Sequence, residues 1–335
     1  MTEPVPNVMD TGEEIFEKSV QKTDDPKQKA LAIILLVVTT ILWGSTFIIT
    51  KNTTEIVPPF FYMTIRFFIA GFAFLIFVSR FKGLTRYHIK ISAIGGLYYF
   101  LSNATQTLGL NYTTASKAGF ITGLNVIMVP IFLHIFYKHK VNKLLWFGVI
   151  LATIGTALLT LVKNGPDQIS WGDPLIFLCA VLYALYIIYL DNHLCEIDII
   201  AFSSLQMLFV GIYSLLSSFL LDDWSYITSN IEAVIFTPSN IAILLYMGVI
   251  ATSGSLLTQF YGQTKVSATK AAIIFALEPV FATLFGIWIG GETLTILTVI
   301  GAIFILVGIV ISEIKIKRKI GQEKECKTDQ ETIEG

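Results

Sequence analysis

Long apolar runs separated by short polar stretches recur from one end of the chain to the other. Runs of about twenty residues with few charges are what a helix needs to cross a bilayer. The pattern predicts ten of them, at 30–50, 58–79, 91–110, 117–137, 144–162, 173–190, 199–221, 240–261, 270–290 and 294–313. Most connections are short; the longest is "DDWSYITSNIEAVIFTPSN" over 222–240. Residues 1–29 and 314–335 are polar and read as solvated, disordered tails. The predicted fold is an all-α membrane protein of ten transmembrane helices, an even number that puts both termini on one side.

The pattern also repeats. With the chain laid on itself at an offset of 153, "TQTLGLNYTTASKAGFITGL" (105–124) lies over "TQFYGQTKVSATKAAIIFAL" (258–277). In the same register Gly148 meets Gly301 and Gly155 meets Gly308. At an offset of 140, "ILWGSTFII" (41–49) lies over "VLYALYIIY" (181–189), and the long 222–240 loop absorbs the difference. Residues 30–162 and 163–313 are therefore two five-helix repeats. Five is odd, so the second repeat enters the membrane from the opposite side. Inverted repeats of this kind characterise secondary transporters, with the substrate near the midplane where the halves meet.

Composition agrees with the pattern: 54% of the 335 residues are hydrophobic and 14% charged, with mean hydropathy +0.71. Charge distribution adds an orientation, because Lys and Arg gather in short cytoplasmic loops. With the N-terminus inside, the inner segments hold Lys27 and Lys29; Arg80, Lys82, Arg86 and Lys90; Lys138, Lys140 and Lys143; Lys265 and Lys270; Lys315, Lys317, Arg318 and Lys319. The outer loops hold Lys51, Lys117 and Lys163. The expectation is a plasma-membrane protein with both termini cytoplasmic. Cys179, Cys195 and Cys326 have no paired spacing, so neither a disulfide framework nor a metal site is expected.

Four stretches carry a family resemblance: "LWGSTFIITK" (42–51), "ASKAGFITGL" (115–124), "ATKAAIIFALEPVFATLFGIWIGGETLT" (268–295) and "GAIFILVGIVI" (301–311). Together they resemble the EamA-type exporters of the drug/metabolite transporter superfamily over about residues 30–313. The resemblance implies ten helices and a central cavity lined by helices 1, 3, 4, 6, 8 and 9. It also implies transport of small organic metabolites, often outward. The EP…GE signature (Glu278, Pro279, Gly291, Glu292) is one-sided here, since the first half has Asn125-Val126 and Lys138-His139 at the matching places.

Polar residues inside spans tend to face a bundle interior or a wet cavity. The candidates for substrate contact are Trp43 and Thr46 in the first span; Tyr99, Asn103 and Gln106 in the third; Asn125 in the fourth; Tyr183 in the sixth; Gln259 in the eighth; and Glu278 in the ninth. For each amide an interhelical hydrogen bond is the competing role, and for Trp43 and Tyr183 it is packing. Arg66 in the second span, with its repeat-equivalent Gln206, lies outside that cavity set and reads as structural or gating. Lys117 and Lys270 open equivalent helices, where a cation opposes the macrodipole; one at each mouth, they are gating candidates against simple snorkelling. Pro279 removes a backbone donor in mid-span and should bend the ninth helix beside Glu278, a candidate proton carrier or contact for a substrate ammonium. Gly119-x-x-x-Gly123 and Gly286-x-x-x-Gly290 are helix-packing signals.

No G-x-S-x-G, H-E-x-x-H or phosphate-binding loop occurs, so an enzyme, or a pump with its own nucleotide motor, is not expected. Nor is a cofactor, a metal or a nucleic-acid partner. The expected partners are the lipid bilayer, a small neutral, zwitterionic or cationic solute (amino acid, nucleobase, amine or drug-like molecule) and protons as coupling ion. A channel or a scaffold without coupled transport is the alternative.

Overall fold

The structure is a computed structural model that describes residues 25–81, 84–113, 115–137, 143–164, 170–194, 197–234, 236–290 and 295–313. Both predicted tails, Lys138-His139 and Gly291-Glu292 of the signature, and two of the cysteines, Cys195 and Cys326, lie outside those residues.

Among the described residues the chain is helical from end to end. Helix α1 runs Pro26–Thr54, α2 Pro59–Ala73, α3 Arg86–Leu110, α4 Ala115–Gly123, α5 Asn125–Tyr137, α6 Lys143–Asn164, α7 Gly172–His193 and α8 Ile199–Leu221. Two short helices, α9 (Trp224–Ser229) and α10 (Ile231–Val234), occupy the long loop. Then come α11 (Pro238–Leu245), a π-helical segment (Tyr246–Gly254), α12 (Ser255–Lys265), α13 (Ala268–Phe275), α14 (Glu278–Gly290) and α15 (Ile296–Glu313).

Local chemistry fixes the starts. Asp25 caps α1 by accepting the Lys27 N–H at 2.9 Å, with Pro26 at a first-turn position where its missing N–H costs nothing. Asp198 caps α8 through the N–H groups of Ile200 and Ala201. Helix α2 opens on Pro58-Pro59 with no side-chain cap of its own. Asp222, at the end of α8, supplies one from across the bundle and accepts the Phe61 N–H at 2.7 Å.

The radial pattern is that of a protein dissolved in lipid. Large apolar side chains face outward, among them Ile34, Phe72, Ile135, Phe136, Phe219 and Trp288. Polar ones are buried: Thr39, Thr40, Ser45, Arg66, Gln206 and Gln259. Six helical stretches among the described residues are long and apolar enough to cross a membrane, and shorter apolar helices accompany them. The chain is a multi-pass membrane protein.

Helix α6 packs along α15, α2 along α8, α3 along α7, and α1 along α12 and α14. Hydroxyls satisfied within their own helices let spans carry Ser and Thr without loss: Thr64 donates to Phe60 O and Thr156 to Ala152 O. The π-helical segment follows the same logic. Thr252 and Ser253 donate to carbonyls five residues back, on Met247 and Gly248.

Candidate functional site

Two apolar helical stretches are broken near their middles. Helix α4 gives way to α5 at Leu124, and α13 gives way to α14 at Ala276-Leu277. At the first break the Leu124 N–H bonds Ile121 O at 3.2 Å; at the second the Leu277 N–H bonds Ile274 O at 3.0 Å. A proline stands only at the second, where Pro279 has no N–H to donate and its ring crowds the carbonyl one turn back. The first break occurs without a proline at that place; Pro130 sits farther on, inside α5. Non-helical backbone at such depth is tolerated where it lines a cavity or is buried in protein.

A cavity opens beside the breaks, with about 440 Å³ of atom-free space, part of it open to the outside. Its walls come from both halves of the chain. Trp43 and Thr46 stand on α1, Arg66 on α2, Tyr99, Ser102, Asn103 and Gln106 on α3, Thr122 on α4, Cys179 and Tyr183 on α7, and Glu278 on α14.

The aromatic wall is a connected set. The Trp43 and Tyr183 rings meet edge to face at 5.6 Å, Trp43 and Phe275 lie 5.1 Å apart, and Tyr99 meets Tyr186 at 5.2 Å. Offset contacts of this kind hold rings in place. Polar groups fix them further: the Trp43 indole N–H donates to Ser255 Oγ at 3.1 Å, and Gln259 Nε2 donates to the Tyr183 hydroxyl at 3.2 Å. Asn103 Nδ2 donates to Tyr99 O at 2.9 Å, and the Thr46 hydroxyl to Trp43 O at 2.8 Å.

Two ionisable side chains face this wall. Arg66 is 6% exposed, donates from Nε to Thr252 Oγ1 at 2.8 Å, and lies 5.2 Å from the centre of the Phe67 ring. Glu278 begins α14, where the N-terminal end of the half-helix dipole favours an anion. Among the described residues no side chain donates a hydrogen bond to its carboxyl, and Arg66 makes no ion pair with it.

Seven of the nine expected contact residues line the cavity: Trp43, Thr46, Tyr99, Asn103, Gln106, Tyr183 and Glu278. Asn125 and Gln259 do not. Gln259 is completely buried behind Tyr183 and also donates to Gln263 Oε1 at 3.0 Å, while Asn125 is 2% exposed in the core. Among the described residues, the carbonyl oxygens of both amides lack a hydrogen-bond partner.

The structure differs from the sequence reading at Arg66, which joins the cavity because its long side chain extends past Phe67 to the π-helical Thr252. Its repeat-equivalent Gln206 stays in the core and bonds the Tyr186 hydroxyl at 2.6 Å. Lys270 sits in the first turn of α13, half-buried. Lys117 lies in the first turn of α4, and its side chain is outside the described residues. Lys270 is not among the described residues that line the cavity. Ser102, Thr122 and Cys179 were missed. Spacing could have found two of them: Ser102 completes the stripe Tyr99, Ser102, Asn103, Gln106, and Cys179 is one turn before Tyr183.

The EamA-like transporter family model matches residues 30–161 and again 170–313. The chain belongs to the EamA-like transporter family. This EamA-like transporter is 31% identical to an uncharacterized transporter of Archaeoglobus fulgidus, over 84% of its own length and 85% of the relative's. It is 25% identical to an S-adenosylmethionine/S-adenosylhomocysteine transporter of Chlamydia muridarum, over 78% and 85%. A crystal structure at 17% identity shares the fold with TM-score 0.69, over 84% of this chain and 95% of that one. Each matched segment of the EamA-like transporter holds one interrupted span, α4–α5 in the first and α13–α14 in the second.

Proposed function

We propose that this protein is a secondary transporter that moves a small organic metabolite across the plasma membrane by alternating access, outward in its physiological direction. In this reading ten spans form two inverted five-helix repeats around the cavity, and both termini are cytoplasmic.

The observation that carries it is a set of close contacts that recur in pairs when the repeat offsets are applied. A Cβ added to Gly71 would meet Leu208, and one added to Gly211 would meet Phe68. At Gly109 it would meet Ile176, and at Gly262 it would meet Leu36. At Gly155 it would meet Gly301 O and Ile305, and at Gly308 it would meet Gly148 O and Ala152. In each pair the second contact is the first with both partners carried to the other half, at offset 140 for α1, α2, α7 and α8 and at 153 beyond them. The breaks at Leu124 and Leu277 obey the same offset. Two halves with reciprocal contacts support two arrangements, related by a pseudo-two-fold rotation and of nearly equal energy, which is what alternating access needs. The cavity supplies a place for one solute between them.

The test is flux into proteoliposomes with a panel of amino acids, nucleobases and amines. S-adenosylmethionine, named for the Chlamydia relative, belongs in the panel. A transporter saturates and supports counterflow of labelled solute against unlabelled. Flux that never saturates identifies a channel, and no flux for any member of the panel leaves a scaffold.

A further inference from the structure

We propose that the chain holds a second solute-binding chamber, closed in this structure and opening to the cytoplasm, walled by Tyr186, Gln206, Thr252, Ser255, Gln259 and Asn125. The inference rests on the alternating-access reading and assigns the residues that meet the solute on the inner side.

Each wall residue is a cavity residue carried to the other half by the repeat offsets. Tyr99, Ser102 and Gln106 map to Thr252, Ser255 and Gln259 at offset 153. Thr46 and Arg66 map to Tyr186 and Gln206 at offset 140, and Glu278 maps back to Asn125 at 153. Trp43 and Tyr183 map to each other, so they belong to both sites. Ser102 and Gln106 lie towards the Leu110 end of α3, which is external in the proposed topology. Ser255 and Gln259 lie towards Lys265, on the cytoplasmic side.

All six wall residues are buried, and the bonds that seal them have no match on the open side. Trp43 donates to Ser255, Gln259 to Tyr183, and Gln206 to Tyr186. The corresponding pairs at the cavity are Tyr183 with Ser102, Gln106 with Trp43, and Arg66 with Thr46. Among the described residues none of these pairs is hydrogen-bonded: Ser102 turns to Cys179, Thr46 to Trp43 O and Arg66 to Thr252.

The sealed side is also where polarity goes unmet. Among the described residues, the buried side-chain amide oxygens without a partner are those of Asn125, Gln206 and Gln259. Their counterparts are Glu278, Arg66 and Gln106, and all three of those face the cavity. An unpaired buried carbonyl is a cost to the closed state, relieved once the seal parts and water or solute reaches it. A packing role alone gives no reason for the unpaired oxygens to fall at these three places. All three are acceptors, and amides stand where the cavity has a guanidinium and a carboxyl. The chamber therefore suits a polar solute that presents N–H or O–H donors and needs no counter-charge. Gln259 lies behind Tyr183 as seen from the cavity, so its own oxygen meets solute only from the cytoplasmic side.

The experiment is cysteine modification of the full-length protein in membrane vesicles of either orientation. The probe is the membrane-impermeant cation methanethiosulfonate ethyltrimethylammonium, and peptide mass spectrometry reads each thiol separately. S102C reports the cavity, S255C the chamber, and S203C a buried position on α8 outside both. A buried thiol reacts only through an opening that admits water, so the thiol introduced by S255C should react about tenfold or more faster from the cytoplasmic side. The thiol introduced by S102C should show the opposite preference, and that from S203C should stay unreactive. Each panel solute with saturable flux, at about twice its Kd, should slow both the S102C and the S255C reactions about threefold by occupancy. Should S255C not fold, T39C reports the same chamber, since Thr39 is the buried counterpart of the cavity-lining Cys179. The proposal is overturned if the chamber thiol is unreactive from the cytoplasmic side, if S203C reacts as fast, or if a transported solute protects S102C alone. An unreactive chamber thiol with saturable flux leaves the transporter reading intact. Cytoplasmic reactivity without flux of any panel member removes that reading and leaves the chamber.

Discussion

The seam between α6 and α15 offers the sharpest test of how the two halves are joined. Gly155 approaches α15 so closely that an added Cβ would lie 2.5 Å from Gly301 O, 2.8 Å from Ile305 Cγ1 and 2.9 Å from Ile305 N. Two of those three atoms are backbone and cannot rotate away. Restoring ordinary contact near 3.4 Å requires the helices to separate by about 1 Å, and overpacking of this kind costs about 1–3 kcal/mol. G308A should fall at the lower end, since its Cβ would meet Gly148 O at 2.7 Å and Ala152 N at 3.1 Å. Alanine is also the better helix former by about 1 kcal/mol, so a control must carry the same gain. Gly119 is that control, because a Cβ there meets no atom of the described residues within 4 Å. The assay is denaturant unfolding in mixed micelles, followed by helix content. Relative to G119A, G155A should lose about 2 kcal/mol or more and G308A about 1. The double variant should lose less than the sum, because a seam opened once costs less to open again. A G155A protein as stable as G119A would refute the close approach and with it the reciprocal-contact argument.

E278Q isolates proton coupling: with Arg66, Tyr99, Cys179 and Tyr183 as the other titratable groups on the cavity wall, wild-type flux should respond to a transmembrane pH gradient and the variant's should not. Identical pH profiles remove the carboxyl from coupling. Q106A, on the wall, should weaken solute binding by about 1–3 kcal/mol, whereas Q259A should act through the Tyr183 hydroxyl, so that its effect on affinity vanishes in a Y183F background; a full effect in that background denies the relay. Burial pushes the Asp222 carboxyl above the ordinary aspartate range, against the hydrogen bond from the Phe61 N–H that pulls it down. A pKa raised in the folded state contributes stability that is complete below the unfolded value and lost as pH rises through the folded one. D222N should therefore gain on the wild type between acid and neutral pH, and D222A should be about 1 kcal/mol less stable than D222N; a wild type that gains on D222N with rising pH reverses the sign. Ser229, exposed on α9, should label from outside intact cells as S229C, and labelling only after permeabilisation would invert the proposed topology.

The sequence by itself determined that the chain is an all-helical membrane protein and that it is duplicated. Both are one-dimensional properties. A span needs a run of apolar residues, and a duplication leaves matched residues in register, so Leu124 could be set against Leu277 without coordinates. It also determined most of the polar inventory of the cavity, because a polar group in lipid is too costly to leave facing outward. Tertiary structure decided which polar groups face the cavity and which sit behind it. One residue of helix turns a side chain by about 100°, and the direction of the cavity depends on how neighbouring helices cross, which no single helix encodes. Gln259 and Gln106 occupy equivalent positions in sequence, yet one is shut behind Tyr183 and the other reaches the cavity. Arg66 reads as remote until the π-helical turn at Thr252 comes within reach of it. That turn, and the break at Leu124 where no proline demands one, arise from contacts between helices, and those contacts exist only once the bundle has assembled.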